Sequence, residues 1–284
     1  MHEAGRDVTF LVRAKRAELI RAKGLTFRTA AGERTNTVQT LVSGESAAPF
    51  DVVLFTVKAT GLDSAIEDLR PYVGPRTAII PILNGLAHVA RLEKEFPGQV
   101  LGGLVKIVAT LDDGVVWQMT DLISITLGTL DGSEFPAAIA EFFDVPGISL
   151  VVSDNVAAAM WEKWAFIASA GVITCLFRGP VGAIVEAGGR EWIEEAIAET
   201  EAVAAAAGYP VPEKAHRFSV GMLAEPGSSF TSSLYRDLTA GFPHEGEHIL
   251  GEMAVQARKF GVETPLLDLT LIQVRTGEIA RERY

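Results

Sequence analysis

The chain has 284 residues, 48% of them hydrophobic and 21% charged, with a formal net charge of −11. This composition is that of a globular protein with a sizeable core and excludes a disordered chain. The acidic balance excludes non-specific nucleic-acid binding, which needs clustered Lys and Arg to displace counterions, but leaves room for a local basic pocket.

In chain order, DVTFLV (residues 7–12) reads as a buried strand and AKRAELIRAKG as a helix stopped by Gly24. NTVQTLV alternates as a strand does. DVVLFTV (51–57) is a continuous β-branched and aromatic run, the mark of a strand covered on both faces. LDSAIEDLRPYV is an amphipathic helix. TAIIPIL (77–83) is a buried strand ending at Asn84-Gly85, and a helix follows through Phe96. VLGGLVKIVATL, GVVWQM and ISITLG read as strands, with Asp113-Gly114 as a hairpin turn. The alternation predicts a parallel sheet with helices on both faces. After ISLVVSD almost only helical periodicity remains, punctuated at Gly208-Tyr209-Pro210 and EPGSS. The expected division is an α/β domain over 1–152 and an all-helical domain over 153–284.

Cys175 stands alone, so no internal disulfide forms and a reducing cytoplasm fits; in the run GVITCLF it reads as a small buried hydrophobe. The stretch MHEAGRDVTF has no apolar signal core. The longest apolar runs are broken by Gly, Thr or charge short of the ~20 residues of a membrane span. No membrane partner is expected.

An open parallel sheet of this kind normally begins with a strand, a glycine-rich turn and a helix whose N-terminus holds phosphate. No G-x-G-x-x-G stands near the start, and HEAGRDVTFLV looks like the tail of that helix running into a second strand. The expectation is a Rossmann-type domain whose first strand and glycine loop are missing, the chain starting about twenty residues late. The end of the second strand is where an acid selects the NAD ribose or an arginine selects the NADP 2′-phosphate. Arg13 stands there, with Lys15 and Arg16 close behind.

His244, Glu245 and His248 spell H-E-x-x-H, the helical zinc signature of metalloproteases. The longer form of that signature places its third ligand at Ala254, which cannot bind metal, although Glu278 or Glu282 could substitute. Gly246 weakens a helix in its first turn, and the five histidines offer no other cluster. A zinc hydrolase is a lesser alternative, and no metal is expected.

DVTFLVR, VKA, LNGL, MWEKW, SSLYRDL and PHEGE, in that order and spacing, resemble the ketopantoate reductase (2-dehydropantoate 2-reductase) family over almost the whole chain. The resemblance implies an NADP-binding Rossmann domain followed by a helical domain. It implies hydride transfer from NADPH to the ketone of a small 2-oxo acid, in pantothenate biosynthesis, with a homodimer as the assembly to consider. Hydride addition builds negative charge on oxygen and calls for a positioned acid. Lys163 matches the family's catalytic lysine; flanked by Trp161 and Trp164, its desolvation would lower its pKa toward a useful range. Glu245 matches the glutamate near substrate and cofactor ribose. Ser233 matches a substrate-contacting serine, its bland role being a helix cap. Asn84 matches an asparagine that contacts nicotinamide and substrate. Lys58 matches a cofactor-binding lysine, and backbone near Ala109 touches cofactor. His244 and His248 then fall at the surface or the cleft edge.

The chain departs from the family where asparagines follow the lysine by four and eight residues, here Ile167 and Gly171, and at a third asparagine, here Val181. Ile167 supplies apolar surface and Gly171 supplies room, which predicts a 2-oxo acid bulkier and less polar than ketopantoate. With the glycine loop and these amides absent, a non-enzymatic or cofactor-sensing relative is the other alternative.

Overall fold

The computed structural model describes residues 1–120 and 123–283, without the Glu282 side chain, which places that candidate zinc ligand outside the described part. Strands and helices run β1 (Thr9–Leu11), α1 (Ala14–Lys23), β2 (Leu25–Thr29), β3 (Gly32–Asn36), β4 (Gln39–Leu41), β5 (Phe50–Phe55), α2 (Leu62–Leu69), β6 (Val73–Pro81), α3 (Ala87–Glu95), β7 (Gly102–Lys106), β8 (Ala109–Asp112), β9 (Val115–Gln118), β10 (Ser124–Gly128), α4 (Ala137–Phe143) and β11 (Ser149–Val152). Then come only helices: α5 (Val156–Phe177), α6 (Val181–Glu186), α7 (Arg190–Ala206), α8 (Glu213–Leu223), α9 (Ser233–Ala240), a π-helical turn over Glu247–Gly251, α10 (Glu252–Phe260) and α11 (Pro265–Arg283). The residues form two compact units. Unit 1 holds Met1–Val57, Gly61–Ile82 and Arg91–Val156; unit 2 holds Lys58–Thr60, Leu83–Ala90 and Ala157–Tyr284.

Unit 1 is α/β, as its alternating pattern predicts, but its strands do not form one continuous parallel sheet. β1 pairs with β4 in parallel, β5 with β6 in parallel, and β10 lies between antiparallel β7 and parallel β11. A parallel bridge from Ile79 to Val100 continues β6 toward β7. Between β1 and β5 lies a cavity of about 320 Å³, lined by apolar residues of both strands and by Phe142 and Phe143. This accounts for a difference from the expectation at β5. Its residues are mostly half-buried and not covered on both faces, because consecutive residues of the strand, Val52 to Phe55, line that cavity. The core proper sits further along the sheet, where Ile80, Ile125, Leu127, Ile139 and Phe143 meet. A separate four-stranded sheet, ordered β3-β2-β9-β8, is built on a β2–β3 hairpin and on the β8–β9 hairpin turning at Asp113-Gly114.

Unit 2 is organised around α5. By length and composition this helix is apolar enough to cross a membrane, which corrects the reading that every apolar run is too short. Most of it is core: Trp164, Ala168, Val172 and Ile173 are buried against α7, the π-turn and α11. Two of its hydroxyl groups are satisfied inside. Ser169 meets the Thr200 hydroxyl at 2.7 Å, and Thr174 meets the Ser232 hydroxyl at 2.7 Å. Cys175 is buried as expected, and burial pushes its thiol up to about 12, so it is chemically quiet.

A buried carboxylate starts α11. Glu199, 4% exposed, accepts the amides of Leu266 at 2.8 Å and Leu267 at 3.0 Å, two of the orphan donors of a helix N-terminus. Burial raises its pKa despite those amides, which pull the other way. Glu199→Ala is expected to lower unfolding stability by about 1–3 kcal/mol through the two stranded amides. The pH sign follows from the raised folded-state pKa. The contribution of Glu199 is full below the unfolded pKa and is lost as pH rises through the folded one. Denaturant melts from pH 4 to 8 should show that slope in the parent chain and a flatter one in Glu199→Gln.

Candidate active site

Two candidate residues lie in unit 1. Arg13 is exposed at the N-cap of α1, directly after β1, with Lys15 and Arg16 in the first turn beyond it. Ala109 opens β8 and is exposed. The other five, Lys58, Asn84, Lys163, Ser233 and Glu245, all belong to unit 2.

Glu245 is where distant segments of unit 2 converge. Its Oε1 accepts the backbone N–H of Ala59 at 3.0 Å, and its Oε2 accepts the Asn84 side-chain amide at 3.3 Å. Lys58, the neighbour of Ala59, is exposed and pairs with Asp237 at 3.0 Å. Lys163 lies half-buried in α5 between buried Trp161 and Trp164, whose rings are 4.9 Å apart. Ser233 is exposed in the first turn of α9. The capping role belongs to its neighbour: Ser232 accepts the Tyr235 amide at 3.0 Å and is buried on Thr174.

His244 and His248, expected at the surface or the cleft edge, are both partly buried. His248 lies in the π-turn, the ring tucked against Gly85. Gly85 has φ +77°, and a β-carbon there would stand 3.0 Å from the His248 carbonyl oxygen and 3.2 Å from its Nε2, so only glycine admits this approach. Facing His248, with ring centroids 5.7 Å apart, is His88, fully buried. Among the described residues, neither nitrogen of His88, nor Nε2 of His248, has a hydrogen-bond partner. Burial first, then the charges of His248 and Lys163, push His88 down to about 3 and keep it neutral. The two rings form a pair, and no further metal-ligating side chain joins them among the described residues.

The zinc arrangement is not built. His244 precedes the helix, so it shares no helical face with His248. Its Nδ1 accepts the Gly246 amide at 3.2 Å; its Nε2 lies 2.9 Å from Glu278, out of line for a hydrogen bond. Glu247 turns outward into a two-pronged pair with Arg275, at 2.6 and 2.7 Å, which holds its carboxyl below the usual range. Among the described residues no group of three or more metal-ligating side chains comes together.

The positions that differ from the family pattern are also placed. Val181 is fully buried in the unit 2 core, and Ile167 packs at its edge. Gly171 does not supply room. A β-carbon there would meet Leu250 at 3.2 Å and Leu234 at 3.4 Å, so those two side chains already fill the space.

An α/β unit with an arginine at the end of a parallel strand, and a helical unit carrying a lysine, a held carboxylate and an amide, define a nicotinamide-dependent oxidoreductase. Comparison with known proteins specifies the family. The family described as "Ketopantoate reductase PanE/ApbA" matches residues 1–132, and its C-terminal counterpart matches residues 155–278. The "Uncharacterized oxidoreductase YkpB" of Bacillus subtilis is 32% identical over 283 residues, covering 98% of this chain and 93% of that one. A 2-dehydropantoate 2-reductase of Mesorhizobium japonicum is 25% identical, covering 99% and 93%. The crystal structure of 2-dehydropantoate 2-reductase from Methylococcus capsulatus superimposes with a TM-score of 0.87 at 26% identity, covering 100% and 93%. A D-mandelate dehydrogenase solved with NADH and anilino(oxo)acetate shares the fold, with a TM-score of 0.87 at 20% identity. The chain belongs to the ketopantoate reductase family.

Proposed function

We propose that this chain uses NADPH to reduce the ketone of a small 2-oxo acid to the 2-hydroxy acid. The observation that carries the reading is the Glu245 carboxylate, held by Asn84 and the Ala59 amide within the unit that also presents Lys163. Two donors fix one lone pair on each carboxylate oxygen and leave the others free to accept hydroxyl protons. Lys163 donates the proton that neutralises the developing alkoxide. Ser233 and Asn84 orient the substrate, and Glu245 accepts from substrate or ribose hydroxyls.

Bound cofactor supplies the hydride. The exposed Arg13 guanidinium at the end of β1 fits the 2′-phosphate of NADPH, with Lys15 and Arg16 adding positive charge. Lys58 and backbone near Ala109 are the further cofactor contacts. A charge-assisted arginine contact of about 1.5–3 kcal/mol makes Arg13→Ala lose roughly ten- to a hundredfold in NADPH affinity, with little change for NADH. Fluorescence titration of both cofactors checks this, and equal losses for the two would exclude a phosphate-reading arginine. The reading extends to a cytoplasmic enzyme of pantothenate synthesis, with a homodimer as the assembly that light scattering would test.

The deciding experiment is NADPH consumption across a panel of 2-oxo acids, followed by identification of the 2-hydroxy acid. Turnover of at least one is expected. Cofactor binding without turnover of any acid would favour a cofactor-sensing role instead.

A further inference from the structure

Helix α11 is apolar on two sides. Leu267, Leu271 and Val274 are buried in the unit 2 core. Leu269, Ile272 and Ile279 lie on the opposite side, with 54%, 61% and 48% of their surface exposed. Single exposed apolar residues are ordinary, but these belong to a row. Leu269, Ile272, Thr276 and Ile279 follow one another at intervals of three, four and three residues, the spacing of a coiled-coil seam. A helix that is apolar on both flanks is built to be covered on both.

The row continues onto α10. Three side-chain pairs lace the stretch 244–258 antiparallel to α11: Arg258 with Asp268 at 3.0 Å, Glu247 with Arg275 at 2.6 Å, and His244 with Glu278 at 2.9 Å. Val255 stands one turn before Arg258, and Ile272 one turn after Asp268, so the exposed Val255 comes level with Ile272.

We propose that this face, centred on Ile272, is the surface through which a second copy of the chain docks, the two α11 helices running antiparallel about a two-fold axis.

The row is complementary to itself. An antiparallel pair sets Leu269 opposite Ile279 of the second copy, and Ile272 opposite its Thr276, so each position of the row meets another position of the same row. The charges at the helix ends agree. Asp268 lies in the first turn of α11, and Arg281 and Arg283 lie in the last. Running antiparallel, the acidic end of each helix meets the basic end of the other, and the helix dipoles oppose. A parallel pair would set like against like. Arg275, which would stand beside the axis near its own counterpart, is already neutralised by its two-pronged pair with Glu247. An anionic membrane surface is the poorer occupant, because the chain carries a net charge of −11. Docking here is independent of the reductase reading. The homodimer named with that reading leaves its face open, and α11 supplies it.

Light scattering on the full chain across a concentration series is expected to show a dimer. Ile272→Asp should raise its dissociation constant by about a hundredfold or more, because the change falls twice in each dimer. A melting curve checks that the variant is folded, and Leu269→Lys tests the same seam if it is not. Orientation is read by cross-linking. Leu269→Cys and Ile279→Cys chains, treated with a thiol cross-linker of short reach, should link when mixed and not when either is alone. In an antiparallel pair, like cysteines stand about ten residues apart along the axis, roughly 15 Å. The native Cys175 is buried and does not compete. A parent chain that stays monomeric throughout the series overturns the inference. So does a dimer unaffected by either folded seam variant, in which case a homodimer stands on another face. Cross-linking of each single variant with itself as strongly as in the mixture overturns the antiparallel arrangement.

Discussion

Replacing Lys163 by alanine is expected to lower kcat by about 10²–10⁴-fold, the usual contribution of one positioned proton donor. The loss should appear in kcat far more than in cofactor affinity, because the proposed role is exercised at the developing alkoxide. Packing gives an independent control. Lys163 lies half-buried on a helix whose neighbouring Trp161 and Trp164 carry the core contacts, so truncating it leaves the core intact. Small primary amines added to Lys163→Ala should restore part of the rate if an ammonium is what is missing. No rescue, with a matching fall in thermal stability, would assign the lysine a structural role.

The second large effect is on stability. Trp164→Ala should cost about 3–5 kcal/mol, the range for emptying a large aromatic site in a core. Trp164 is 2% exposed, stacks at a tilt on Trp161, and donates its indole N–H to the carbonyl of Ile249 at 2.9 Å. The substitution removes ring contacts and also leaves the Ile249 carbonyl without its donor. Trp164→Phe keeps most of the volume and loses the hydrogen bond, so it should cost clearly less. Chemical denaturation followed by far-UV circular dichroism separates the two. Equal costs would mean that the hydrogen bond, and not the ring, dominates.

The elements of this fold that carry an apolar period were legible in the sequence. The runs around β5, β6 and β10, and the long helices of unit 2, are marked by their own residues. The β2–β3 hairpin was not, because LTFRTAAGERTN is largely polar and β3 is largely exposed. The division of the strands among several sheets was not legible either, since pairing is decided by contacts far apart in the chain. The same holds in the site. Lys163 and Glu245 stood out through the company they keep in MWEKW and PHEGE. That Asn84 and the Ala59 amide both hold Glu245 depends on segments that only the fold brings together. His88 and His248 were missed for this reason, and His248 was also claimed by a motif whose helical face the π-turn does not provide.

That turn bears on how the gene can change. A π-turn holds one residue more than a regular helix needs, so the stretch 247–251 carries a surplus residue in the wall of the site. Loss of one codon there would leave a regular helix with its hydrogen bonds intact. Because a π-turn spreads five residues over roughly the arc that four occupy in a regular helix, the residues on either side, Glu245 among them, would keep their phase around the axis. What would go is the widened turn that sets His248 against Gly85. The surplus residue is a local insertion that the helix absorbs, and the contacts of Glu245 with Asn84 and Ala59 do not hang on it.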